Sequence, residues 1–122
     1  YVEWVVSAGA EGAMAVMSRE DDSKMEKIVS QLKHEETAVW TTSGRDFLDD
    51  MEGGWSARVG AYAFIEEDQV HFKAVALMLD GTERYDFEEK VSVGEAGELG
   101  HSAAQALLGE GAIKVINEMK SE

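Results

Sequence analysis

The chain has 122 residues, 44% of them hydrophobic and 30% charged, which suits one domain, or one domain plus an attached piece, and argues against wholesale disorder. Its 25 Asp and Glu against 11 Lys and Arg leave a net charge of −14, and Arg19, Arg45, Arg58 and Arg84 are scattered rather than clustered. Such a chain repels phosphate backbones and anionic lipid, so neither nucleic acid nor a membrane surface is expected as a partner. The absence of cysteine removes disulfides, thiolate nucleophiles and Cys-ligated metals together, and fits a reducing, cytoplasmic setting. No apolar run approaches the ~20 residues of a membrane span. The opening YVEWVV lacks the basic region of a secretory signal.

Val2 to Val6 reads as a short strand, and Ser7 to Gly12 as a loop. Ala13 to Met17, AMAVM, is a second apolar run short enough for a strand. Met25, Ile28, Val29 and Leu32 then form one helical stripe, with Ser23 and Glu26 spaced as a capping box. A longer helix is expected over Glu35 to Met51, with Trp40, Phe47, Leu48 and Met51 on one face and a glycine stop at Gly53 or Gly54.

Three strands follow. Val59 to Ile65 is the first, and Glu66-Glu67-Asp68 turns the chain. Gln69 to Leu79 is the second, with Val70, Phe72, Ala74, Ala76 and Met78 on one side. Asp80-Gly81 is a type I′ hairpin signal. Between Glu83 and Val93, Tyr85, Phe87 and Val91 alternate with Arg84, Asp86, Glu88 and Lys90. Glu95 to Leu108 reads as a helix that buries Ala96, Leu99, Ala103, Ala106 and Leu107. Gly109 and Gly111 break it before a final helix, Ala112 to Met119. The fold class is therefore α+β: α-β-β-β-α, a three-stranded antiparallel sheet covered by helices on one face, plus an N-terminal strand and helix segment. Residues 1–34 are too few to make a core of their own.

Several segments resemble, in order, the C-terminal region of hydroxymethylbilane synthase, also called porphobilinogen deaminase. AGAEGAMAVMSREDD (Ala8 to Asp22) is similar to the family's PAxGQGALAIExR-DD, and QLKHEET (Gln31 to Thr37) to LNHxET. GRDFLDDMEGGWSARVGAYA (Gly44 to Ala63) is similar to ERxFLxxLEGGCxxPIGAYA, and ALLGEGA (Ala106 to Ala112) to ELLxxGA. LMLDGTE (Leu77 to Glu83) also fits the family's hairpin. The resemblance implies a transferase of tetrapyrrole (porphyrin, heme) biosynthesis that joins four porphobilinogen units with release of ammonia. It also implies that residues 1–34 are a remnant matching the last segment of the family's first domain, and that residues 35–122 form the C-terminal domain. The partners it implies are the absent first and second domains or an equivalent protein; a homo-oligomer is a further possibility.

The family holds its dipyrromethane cofactor through a thioether to the cysteine of EGGC. Here Gly53 and Gly54 are kept, but Trp55 stands at the cysteine position, and an indole cannot form that bond. No dipyrromethane is therefore expected on this chain, no catalytic residue is assigned within it, and the chain alone is expected not to catalyse. Arg58 replaces the family's proline, and Arg45 is retained. Both arginines could grip carboxylates, but pairing with surface acids is the commoner use. His34, His71 and His101 lack metal spacing, with His71 expected to be solvated, and Asp21-Asp22 and Glu66-Glu67-Asp68 read as solvated turns. The alternative function is a free-standing degenerate domain acting as a protein interaction module, with Trp55 in its contact surface. A double-stranded RNA-binding domain shares the element order, but the Glu95-Ala96-Gly97-Glu98 start of the last long helix opposes phosphate contact.

Overall fold

A computed structural model describes residues 5–51 and 58–120. Chain order is α1 (Ser23–Val29) with a 3-10 turn at Ser30–Leu32, α2 (Glu35–Asp50), β1 (Val59–Glu66), β2 (Gln69–Leu77) and β3 (Arg84–Ser92). A 3-10 segment at Val93–Glu98 leads into α3 (Leu99–Leu107), and a π segment at Leu108–Ala112 leads into α4 (Ile113–Lys120). The three strands form one antiparallel sheet in the order β1-β2-β3. Val59 lies opposite Ala76 and Glu66 opposite Gln69, while Gln69 lies opposite Ser92 and Leu77 opposite Arg84.

Period-two alternation puts Val59, Ala61 and Ala63 of β1 and Val70, Phe72, Ala74 and Ala76 of β2 on the helix-covered face, where all are buried. Phe47 and Met51 of α2, Leu99, Ala103 and Leu107 of α3, and Val115 and Ile116 of α4 complete the core. Phe72 sits between Phe47 and Phe87, with edge-on ring contacts at 6.3 and 6.4 Å. Small residues set the helix spacing. A Cβ on Gly100 would lie 2.2 Å from the Ser43 carbonyl oxygen and 2.8 Å from the Phe47 nitrogen, so α3 touches the α2 backbone there.

The N-terminal piece differs from expectation. Ala13 to Met17 is irregular, not a strand, with Met14 98% and Met17 94% exposed. A short apolar run needs a neighbouring strand to complete its hydrogen bonds, and none of the described strands reaches it. Of the Val2 to Val6 strand, only Val5 and Val6 fall among the described residues, and they carry no strand assignment. The segment still docks: Ala61 N–H donates to the Ser7 carbonyl at 2.9 Å, and a Cβ on Gly9 would meet the Gly44 carbonyl oxygen at 2.7 Å. The α1 stripe is correctly spaced but buries nothing. The α1 cap is Asp22, whose Oδ1 accepts from Met25 N–H at 3.0 Å, rather than the expected Ser23 box.

Other boundaries shift for local reasons. The type I′ geometry appears in the β1-β2 turn, where Glu67 (φ 50°) and Asp68 (φ 60°) are both left-handed. At the β2-β3 turn only Gly81 (φ 71°) is left-handed; its N–H reaches the Met78 carbonyl, and the strand ends at Leu77 instead of Leu79. The expected helix from Glu95 starts as the 3-10 segment, and Ala104 rather than Ala106 is fully buried on α3.

Candidate functional site

The candidate site falls between α2 and β1, at residues 52–57, and the described residues on either side of it are pinned. On the entry side, Met51 caps α2 with its N–H on the Phe47 carbonyl at 3.0 Å, and its side chain is fully buried. On the exit side, Arg58 donates from Nη2 to Glu118 Oε2 at 2.8 Å, and its carbonyl accepts from Leu77 N–H at 2.9 Å. Glu118 Oε2 also takes Leu79 N–H at 3.1 Å, so one carboxylate on α4 ties together the loop exit and the β2-β3 hairpin. Gly53, Gly54 and Trp55 lie outside the described residues.

Of the two candidate arginines, Arg58 pairs with an acid as expected, but the pair is half-buried rather than on the surface, its side chains 18% and 28% exposed. Arg45 is exposed on α2 and makes no ion pair with another described residue. It borders a cleft of about 710 Å³ between the N-terminal segment and α2, lined also by Met14, Val16, Leu32, His34 and Trp40.

The three histidines are dispersed. His34 caps α2, with Nδ1 accepting from Thr37 N–H at 3.3 Å and 2.9 Å from the Thr37 hydroxyl oxygen. This gives the HEET tetrad a structural task. His71, expected to be solvated, is only 7% exposed. Its ring lies 4.5 Å from Phe64, the residue directly opposite it on β1, so cross-strand stacking removes it from water. His101 places Nδ1 2.7 Å from Asp50 Oδ2, and that hydrogen bond, chiefly, raises its pKa above the ordinary imidazole value. Among the described residues no group of His, Asp and Glu could hold a metal ion, and Asp21-Asp22 is a turn leading into the α1 cap. The Arg58–Glu118 pair and the His101–Asp50 pair join residues 60 and 51 positions apart, and no local pattern in the sequence signals either.

Sequence comparison places this α-β-β-β-α unit and its pinned loop in a known class. The family model "Porphobilinogen deaminase, C-terminal domain" matches residues 38–109, and the chain belongs to that family. Porphobilinogen deaminase of Oceanobacillus iheyensis is 35% identical over 120 residues, covering 98% of this chain and 38% of the relative. That of Geobacillus kaustophilus is 35% identical over 117 residues (96% and 37%), and that of Listeria welshimeri 31% over 121 residues (98% and 38%). The chain thus spans a little over a third of the length of these relatives. Among the described residues no helix is long and apolar enough to cross a membrane.

Proposed function

We propose that the chain is the C-terminal region of a hydroxymethylbilane synthase-like protein of tetrapyrrole biosynthesis, working in the cytoplasm, and that by itself it neither carries dipyrromethane nor catalyses porphobilinogen condensation. The observation that carries this reading is chemical. The resemblance puts the cofactor sulfur at position 55, where this chain has tryptophan, and there is no cysteine elsewhere to substitute. The surroundings also fit the cofactor poorly. Its carboxylates call for several cations, whereas Arg58 at the loop exit is engaged by Glu118, and Asp46, Asp49 and Asp50 stand at the loop entry.

Residues 1–34 in this reading complete a domain built mainly by other chain, and residues 35–122 form the C-terminal domain. The exposure of Met14, Val16, Met17, Ile28 and Leu32 supports it, because apolar side chains in that number are seldom left in water without a covering surface. The covering surface would be the family's first and second domains or an equivalent protein. Intact mass and Ehrlich's reagent, applied to freshly purified protein, test the cofactor reading. The unmodified polypeptide mass with no colour is expected; a dipyrromethane colour with matching added mass would refute it.

A further inference from the structure

The chain is strongly acidic, and one stretch departs from that. Ser23 to Arg45 carries four cations, Lys24, Lys27, Lys33 and Arg45, against three acids, within a chain of net charge −14. The cleft between the N-terminal segment and α2, about 710 Å³ in volume, opens on this stretch, and none of the residues lining it is Asp or Glu. Its lining is mainly apolar, Val29, Leu32 and Trp40 included, and its basic groups are Lys33, His34 and Arg45. Arg45 makes no ion pair with another described residue, and its neighbour Asp46 is turned toward His101 on α3. Lys33 meets Glu35 at 2.8 Å, but both side chains are exposed, and such a pair exchanges readily for another carboxylate.

The apolar surface continues past the cleft. Leu32, 69% exposed, lines the cleft and also ends the α1 stripe, where Met25 and Ile28 are exposed with it. A small ligand would fill the cleft and leave that stripe in water, so the surface fits a polypeptide. No strand residue lines the cleft, so it offers no ladder of backbone groups to an extended peptide. Its occupant must satisfy its own backbone, as a helix does. A second copy of this chain, seated symmetrically, would set these cations against their own copies. We propose that the cleft and the α1 stripe form a docking groove for an acidic amphipathic helix of a partner polypeptide, with apolar side chains on Ile28, Leu32 and Trp40 and carboxylates at Arg45 and Lys33. The inference rests on the reading that residues 1–34 meet a covering surface, and it adds the chemistry of that cover. Acidic groups are steered to this stretch because the rest of the chain repels them.

The experiment titrates the isotope-labelled 122-residue chain with three synthetic helical peptides. They share leucines at i, i+3, i+4 and i+7 and differ only in their polar positions, which are all glutamate, all glutamine or all lysine. Backbone and side-chain resonances report where each peptide lands and how tightly. The glutamate peptide should give saturable shifts at Leu32, Trp40 and Arg45, and should bind there about tenfold more tightly than the glutamine peptide, as a few exposed ion pairs allow. The lysine peptide should land on the acidic faces instead. Arg45→Glu, at an exposed position where circular dichroism confirms folding, should weaken the glutamate peptide about tenfold. A glutamine peptide that binds the cleft at least as tightly as the glutamate one overturns this proposal and leaves the covering-surface reading standing. Cleft resonances unmoved by all three peptides overturn both. An Arg45→Glu variant that keeps the parent's affinity for the glutamate peptide also overturns the proposal.

Discussion

Gly100→Ala tests the packing that brings α3 onto α2. Alanine is intrinsically the better helix former by about 1 kcal/mol, so an unobstructed position would gain stability. Here the added methyl would sit 2.2 Å from the Ser43 carbonyl oxygen, 2.8 Å from the Phe47 nitrogen and 2.9 Å from Asp46 Cβ. Two of these three are backbone atoms of a core helix and cannot rotate aside. Restoring an ordinary contact requires the helices to part by about 1 Å, enough to forfeit a quarter to a half of each dispersion contact across the seam. The Ser43 hydroxyl, which reaches the Ala96 carbonyl at 3.3 Å, would be strained by the same movement. An overpacking cost of about 3 kcal/mol less the propensity gain leaves a net loss of about 2 kcal/mol. Urea unfolding of the parent and the variant, followed by helical circular dichroism, measures it. Gly109→Ala is the control, because its Cβ would meet nothing within 4 Å and its φ is not positive; it should gain up to about 1 kcal/mol. If both alanine variants are equally stable or more stable than the parent, the close-approach reasoning is wrong.

The β1-β2 turn holds two ordinary residues in left-handed conformations. Replacing Glu67-Asp68 by Asn-Gly should stabilise the chain by about 1 kcal/mol, read from the urea midpoint; unchanged stability would refute the assignment of strain to that turn. Glu83 accepts from the Tyr85 hydroxyl and the Lys114 ammonium, and these bonds lower its pKa. Its contribution is complete above the unfolded glutamate value and lost as pH falls through the lower folded one. Glu83→Gln should therefore flatten the decline of melting temperature below about pH 4.5, and a variant with the parent's acid slope would count against this. Glu118→Ala should cost about 1 kcal/mol and speed hydrogen exchange at the Leu79 amide, whose acceptor it removes. Unaltered exchange there would show that the carboxylate does not hold the hairpin.

Much of the domain was legible because its signals are local and mutually consistent. The alternation of Val70, Phe72, Ala74 and Ala76, and of Tyr85 and Phe87 against charged neighbours, identified both strands and their buried faces. The α2 stripe ran to Met51 as expected, and Arg58 pairs with an acid as expected, although its partner on α4 draws the pair half out of water. What escaped depends on partners distant in sequence. Ala13 to Met17 has strand-like composition, but composition cannot supply the neighbour a strand requires. His71 lies between Gln69 and Lys73, polar residues that suggest water, yet Phe64 across the sheet covers it. Gly100 gave no sign of its importance, because a glycine inside a helical pattern looks only like a weak point. The candidate site was found through the resemblance of GRDFLDDMEGGWSARVGAYA, and neither the Glu118 tie nor the His101–Asp50 pair could be read from that motif.

Gly9 and Gly44 meet backbone to backbone, with no side chain of their own between them. Side chains ordinarily act as bumpers, bending or changing rotamer so that one segment can move without disturbing the next. At this junction neither glycine supplies one, only the Leu48 Cδ1 methyl stands beside Gly9, and the Ser7 carbonyl holds the same segment against the sheet edge through Ala61. A surface that seats itself on the exposed methionines at positions 14 and 17 would be pressing on a strut whose other end bears on the middle of α2. The segment that carries those methionines is in this sense joined to α2 and to the sheet edge by its backbone, so a surface engaging it meets the C-terminal domain through main chain.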